Sequence, residues 1–188
     1  MNNQDELIRL LEFMKTQTLK NYVIAGLDSS LIQNGCVRYF ENSRDHQDFI
    51  TPHSHRFDFA CIVLEGTVAN SIWEPTTEEE GDFFQTSFIH YDGKIGDYDR
   101  APDGRNWYKA KTNLYRAGDI YSMTTEQIHS IKFGRGAKVL FFEGPSILDC
   151  SLIIEPVVDG EVIKTLETKD YMFKKEGDKS EALHSNKR

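Results

Sequence analysis

Hydrophobic positions in this chain recur at two different periods. Near the N-terminus the spacing is helical. Leu7, Leu10, Leu11 and Met14 share one side, Ile8 and Phe13 widen it, and Asp5 and Glu6 sit in the first turn, where carboxylates complement the helix dipole. This predicts a helix from residue 3 to about residue 15 that covers an edge or an end of a sheet. After Gly26 the texture changes to short β-type runs separated by turn residues. Strands are expected at 36–40, 57–64, 67–73, 83–91, 120–123, 128–133 and 137–142, with a further re-entry into the sheet within 106–116. The runs 57–64 and 67–73 read as a strand pair joined through Glu65-Gly66. Residues 151–157 and 161–165 are expected to pair through Val158-Asp159-Gly160, and Tyr91-Asp92-Gly93-Lys94 reads as a hairpin turn. Residues 75–81 form an acidic turn with Glu78, Glu79 and Glu80 on a solvated face. The Gly-, Asp- and Pro-rich segment 95–105 reads as an exposed loop.

Many short strands with turn chemistry between them indicate an all-β antiparallel sandwich or barrel carrying one N-terminal helix. No internal repeat and no interior boundary is visible. The expected organisation is a single domain over 1–173, its helix at about 3–16, followed by a disordered polar tail over 174–188.

The 188 residues suffice for one domain with a real core, and 39% hydrophobic against 28% charged residues is a soluble, globular balance. A net charge of −8 argues against a nucleic-acid surface, which needs clustered Lys and Arg, so no nucleic-acid partner is expected. No apolar run is long enough to span a bilayer, and no membrane partner is expected. The acidic, signal-free beginning reads as cytoplasmic. Cys36, Cys61 and Cys150 are odd in number and scattered, which fits free thiols better than a disulfide framework or a zinc motif.

The chemistry concentrates in Pro52-His53-Ser54-His55-Arg56, at the mouth of an apolar run that ends in Gly66. On a strand, residues i and i+2 share a face, so His53 and His55 can aim both imidazoles at one metal ion. His129 is the candidate third ligand, in a second glycine-led segment that begins Gly118-Asp119. His46, His90 and His184 read as surface residues, and Cys61, in phase with the histidines, as a small buried residue. The bland reading of the histidine set is a metal-free pocket whose imidazoles hydrogen-bond.

These two segments resemble the motifs of the cupins, which are double-stranded β-helix (jelly-roll) barrels. His53-Ser54-His55 with Gly66 fits their first motif, and Gly118-Asp119 with His129 fits their second. The resemblance covers roughly residues 35–145. The glutamate of the first motif falls on Phe59, while Asp58, one residue off, should face the other side of the strand. In the second motif Thr124 and Glu126 replace the usual proline and glycine, and Phe133 the usual asparagine.

A set of three histidines without the glutamate looks like the thiol dioxygenases, the cysteine dioxygenase type. That resemblance implies an enzyme that uses non-haem Fe(II), or in other readings Mn, Ni or Zn, with a small-molecule substrate and dioxygen as partners. It also implies an arginine that holds the substrate carboxylate and an active-site tyrosine. Arg38 and Arg56 are the available cations. Arg56 alternates away from the histidines, which leaves Arg38 as the candidate anchor. The strand after His129 carries no tyrosine, so Tyr121 or Tyr108 would have to enter from other strands, and Tyr121 is the candidate catalytic residue. A metal-dependent isomerase or lyase acting on a sugar or keto acid, and a non-catalytic small-ligand module, are the alternatives that cupins also host. A homodimer would cover exposed strand edges.

Overall fold

The helix α1 (Asn3–Met14) is followed by strands in two antiparallel sheets. The computed structural model describes residues 3–32, 37–45, 49–90 and 98–163. Cys36, His46, the expected turn at 91–94, residues 164–165, the tail at 174–188 and His184 lie outside the described residues. The strands are β1 (Lys15–Leu19), β2 (Leu27–Ile32), β3 (Val37–Asn42), β4 (Phe59–Glu65), β5 (Thr67–Thr76), β6 (Asp82–His90), β7 (Tyr98–Arg116), β8 (Ile120–Met123), β9 (Ile128–Phe133), β10 (Lys138–Glu143), β11 (Cys150–Val158) and β12 (Glu161–Val162). One sheet runs β1-β2-β3-β10-β4-β8 and the other β12-β11-β6-β7-β5-β9.

The order of pairing identifies the fold. Four pairs nest within one another: β3 with β10, the segment around His53 with β9, β4 with β8, and β5 with β7. Two antiparallel halves of the chain therefore coil together, passing from sheet to sheet, which is the cupin-type double-stranded β-helix expected above.

Strands β1 and β2 are not among those the sequence predicts, and two further features differ from the expectation. The first is that β4 and β5 do not pair. β4 lies between β10 and β8, and β5 between β7 and β9. Gly66 turns the corner between sheets at φ +70°, and a Cβ there would meet the Ala137 Cα at 2.9 Å. Only glycine accepts both that backbone and that approach. The second is that the described part of the expected loop at 95–105 belongs to β7. The β6–β7 register runs to Gln85↔Arg105 and resumes at Ser87↔Arg100, so Ala101-Pro102-Asp103-Gly104 bulges between two paired stretches. Its Pro and Gly mark an interruption within a strand, not its end.

Three apolar clusters hold the assembly together. Inside the roll, Leu27, Val63, Val68 and Val139 are at most 1% exposed and pack with Phe40, Phe133 and Phe141. Burying each aliphatic side chain contributes about 1.5–3 kcal/mol. Outside, Ile8 and Leu11 of α1 seat on Ile32, Tyr39, Leu64 and Leu140. A helix this short is marginal alone, so this contact stabilises it.

The third cluster, Phe84, Tyr108, Ile128 and Ile154 with Trp73, fills a second, smaller enclosure. It exists because the second sheet closes on itself. β11 pairs with β6 on one side, and on the other Ser54 N donates to Leu152 O at 2.8 Å and Ile154 N to Pro52 O at 3.0 Å. The segment carrying His53, together with β9, is thus a wall between the two enclosures. His129 and Ile131 face the roll, while Ile128 and Ser130 face the ring, where Ser130 Oγ accepts from Trp73 Nε1 at 2.9 Å. Backbone bonding on both edges of that segment gives the histidines a rigid base.

Candidate metal centre

His53 stands directly opposite His129, and each backbone N–H donates to the other's carbonyl at 2.9 Å. Opposed residues of an antiparallel pair share a face, so both imidazoles enter the roll. His55 follows where the chain has left this pairing and bends toward β4, which begins at Phe59 rather than at the expected residue 57. The crossing between sheets brings the His55 ring to 4.8 Å from that of His53 and 5.1 Å from that of His129. One ligand nitrogen from each of the three lies within 4.8 Å of the others.

Two of the rings are locked by bonds at their far nitrogens. His53 Nδ1 donates to the Thr51 carbonyl at 2.7 Å, and His129 Nδ1 donates to Asn70 Oδ1 at 2.7 Å. With Nδ1 carrying the proton, each Nε2 presents its lone pair to the cavity, as metal-ligating histidines do. His55 Nε2 and His129 Nε2 are 3.0 Å apart.

Burial lowers the pKa of all three imidazoles. His53 is depressed by burial, partly offset by its bond to Thr51. His55 is held well below the ordinary range by burial and then by His53, and His129 by burial and then by His53 and His55. The set is neutral near pH 7, the protonation state a metal requires. A divalent ion bound by nitrogen ligands therefore fits the residues present.

Among the described residues no carboxylate completes the set. Phe59 occupies the place, 5% exposed, its ring centre 4.6 Å from that of His55 and 5.6 Å from that of His129. Asp58 is exposed and its Oδ1 accepts from Thr125 N at 2.9 Å. Glu126 is also exposed.

The histidines border a cavity of about 250 Å³ with aromatic walls, Phe57 and Phe141 beside Phe59. Across the first sheet one row of paired residues reads Arg38, Phe141, Cys61, Tyr121, and all four line this cavity. Arg38 donates from Nε to Glu143 Oε1 at 2.7 Å, and Glu143 lines the cavity too. Tyr121 stacks on Tyr115 at 4.5 Å, and burial pushes its phenol well above the usual range. Burial likewise pushes the Cys61 thiol up to about 12.

Arg56, expected to point away, borders the cavity in the segment before β4, where the backbone bends at Arg56 and Phe57. Tyr108 packs in the ring beside Phe84, away from the histidines. Sequence reasoning missed Thr51, Asn70 and Glu143. Asn70 carried a signal, being a polar residue in phase with Val68 and Ile72 on a strand whose inward positions are otherwise apolar.

No family model matches the chain, and no curated protein matches it. Comparison with solved structures finds cupin-fold proteins at low overlap. Hydroxypropylphosphonic acid epoxidase from S. wedmorenis aligns with TM-score 0.41 and 13% identity over 68% of this chain and 55% of its own. Hydroquinone 1,2-dioxygenase from Sphingomonas sp. TTNP3 aligns with TM-score 0.35 and 12% identity over 61% and 64%. The Drosophila melanogaster CENP-C cupin domain aligns with TM-score 0.36 and 8% identity over 77% and 100%. The chain spans about half the length of the epoxidase. At this overlap the fold rests on the strand pairing itself, and no activity of these proteins transfers. Among the described residues no helix is long and apolar enough to cross a membrane.

Proposed function

We propose that this cupin-fold chain is a metal-dependent dioxygenase in which His53, His55 and His129 hold a non-haem Fe(II), acting on a small thiol or similar small polar molecule. The observation that supports it best is the ligand set. Three neutral imidazoles converge, and Phe59 stands where a fourth, charged ligand would be. Held by His53, His55 and His129 without a carboxylate, a divalent ion would keep its full double charge for an anionic substrate. When bound, iron would supply the redox chemistry that lets dioxygen add to sulfur.

The remaining work falls to the chain. Thr51 and Asn70 keep the nitrogens of His53 and His129 turned toward the ion. Arg38 orients the negative end of the substrate by charge-assisted hydrogen bonds, its guanidinium steadied at Nε by Glu143. Tyr121, protonated at neutral pH, offers a hydroxyl donor inside the cavity. Phe57, Phe59 and Phe141 exclude water from the reacting groups. A cavity of about 250 Å³ limits the substrate to a small molecule.

The test is dioxygen uptake by protein loaded anaerobically with Fe(II), over a panel of small thiols with and without carboxylates. The expected result is consumption with at least one thiol and none in His129→Ala. No uptake with any thiol overturns the reading. Turnover of a sugar or keto acid that proceeds equally under nitrogen, with Mn, Ni or Zn, would replace it with an isomerase or lyase.

A further inference from the structure

Among the described residues outside the two sheets, one loop that borders the histidine cavity has an unusual backbone. It runs from Asn21 to Gly26, between β1 and β2, and Tyr22 and Val23 line the cavity beside Phe40, Ile50 and Ile131. The Tyr22 ring lies 6.0 Å from that of Phe40, and Val23 packs against the core of the roll.

The backbone here is unusual. Ile24 N donates to Tyr22 O at 2.8 Å, which closes a three-residue turn centred on Val23, whose φ is +66°. This is the positive-φ form of the γ-turn, the rarer and more strained of the two. A β-branched side chain is the kind least tolerant of that region. The loop around it is firmly tied. Tyr22 N donates to Leu27 O at 2.6 Å, Gly26 N to Asn21 Oδ1 at 2.8 Å and Asn21 N to Asp28 Oδ1 at 3.2 Å, while Gly26 O accepts from Ser43 N at 2.9 Å. The surroundings hold the strained residue in place, and what that placement achieves is a branched side chain in the cavity wall. Such strain persists where the surrounding structure imposes it, and it concentrates at ligand sites.

We infer that Val23 sets the upper size limit of the ligand that the histidine cavity accepts. The inference deepens the proposed function, since it concerns the same cavity, but it requires no metal and no reaction. Val23→Gly should relieve the backbone, because glycine adopts positive φ freely, and should open the wall. Val23→Ile adds a methylene to a wall already held in place and should narrow it.

The experiment titrates the metal-free full chain and both variants with benzene, ethylbenzene and butylbenzene, followed by protein NMR shifts, with thermal midpoints measured in parallel. The expected result for Val23→Gly is at least a tenfold gain in butylbenzene affinity, a change within twofold for benzene, and a midpoint no lower than that of the parent. Val23→Ile should lose affinity for ethylbenzene by more than it loses for benzene. Parallel shifts for all three probes, a lowered midpoint with no change in size preference, or no binding of any probe by any of the three proteins overturns the inference. A second arm adds ethanethiol and hexanethiol to Co(II)-loaded protein and reads thiolate charge-transfer absorption. Failure of every thiol there, with the alkylbenzene preference shifted as expected, counts against the proposed function and leaves Val23 in its role.

Discussion

His129 Nδ1 donates to Asn70 Oδ1 at 2.7 Å, and Asn70 is 1% exposed. The bond crosses from β9 to the adjacent β5 and decides which nitrogen of His129 faces the cavity. The Asn70 amide in turn donates to Met123 Sδ at 3.4 Å, so its orientation is fixed from behind. Replacing Asn70 with Leu removes the acceptor and frees the ring to turn. Metal affinity should fall by about 10–100-fold, the usual cost of losing such a supporting bond. Asn70→Asp keeps an acceptor and should retain or strengthen binding. Competition with a chromogenic chelator measures both.

Removing a ligand should be more severe than removing its support. Elemental analysis of His129→Ala, purified without chelator, should show loss of the metal that the parent retains. The variant should keep its fold, because the His53–His129 pairing is made by backbone atoms. An unchanged circular dichroism spectrum alongside the lost metal is the expected outcome.

The buried histidines make stability depend on pH in one direction. All three have folded-state pKa values below the ordinary 6.5. Below about pH 6.5 the unfolded chain takes up protons that the folded chain refuses, so the metal-free fold loses stability as pH falls. The slope approaches about 1.4 kcal/mol per pH unit for each histidine involved, and it vanishes above roughly pH 7.5, where both states are neutral. Bound metal steepens the loss, because protons compete for the same nitrogens. Urea midpoints from pH 5 to 8, with and without metal, measure this. A midpoint that rises on acidification would contradict the arrangement of neutral imidazoles.

Phe59→Glu puts a carboxylate among the three imidazoles. Without metal it buries an acid in the aromatic wall and should destabilise the fold by about 2–4 kcal/mol. With a divalent metal the carboxylate gains a partner, so metal should recover more stability in the variant than in the parent. Thermal midpoints with and without Zn(II) give the comparison.

Gly66→Ala tests the corner between sheets. The substitution meets both a positive φ and the Ala137 backbone at 2.9 Å, and should cost about 2–4 kcal/mol while leaving the histidines' own contacts untouched. Chemical denaturation measures the cost.

The β class, the terminal helix and the three histidines were legible because each rests on local periodicity or on a short spacing. Leu7 to Met14 repeat at helical spacing, and the strands from residue 120 to residue 143 are bounded by Thr124-Thr125-Glu126 and Gly134-Arg135-Gly136. The place of Phe59 could be counted back from Gly66. What failed were inferences that assumed neighbours in sequence are neighbours in a sheet. Glu65-Gly66 looks like a hairpin turn, yet β4 and β5 each pair with strands far along the chain, which makes it a corner. The Gly and Pro of residues 101–104 look like a loop, yet pairing on both sides makes them a bulge.

By itself, then, the sequence determined which imidazoles could be brought together, because imidazole chemistry belongs to the side chain and alternation along a strand is a local property. Only the tertiary structure decided how they are held. Asn70 and Thr51 select the tautomers, Glu143 meets Arg38 on the neighbouring strand, and Arg56 borders the cavity. The Asn70 and Glu143 contacts depend on the register between segments distant in the chain. That register is fixed where the apolar faces of distant strands close around shared cores, and the pattern along one strand does not name its partner.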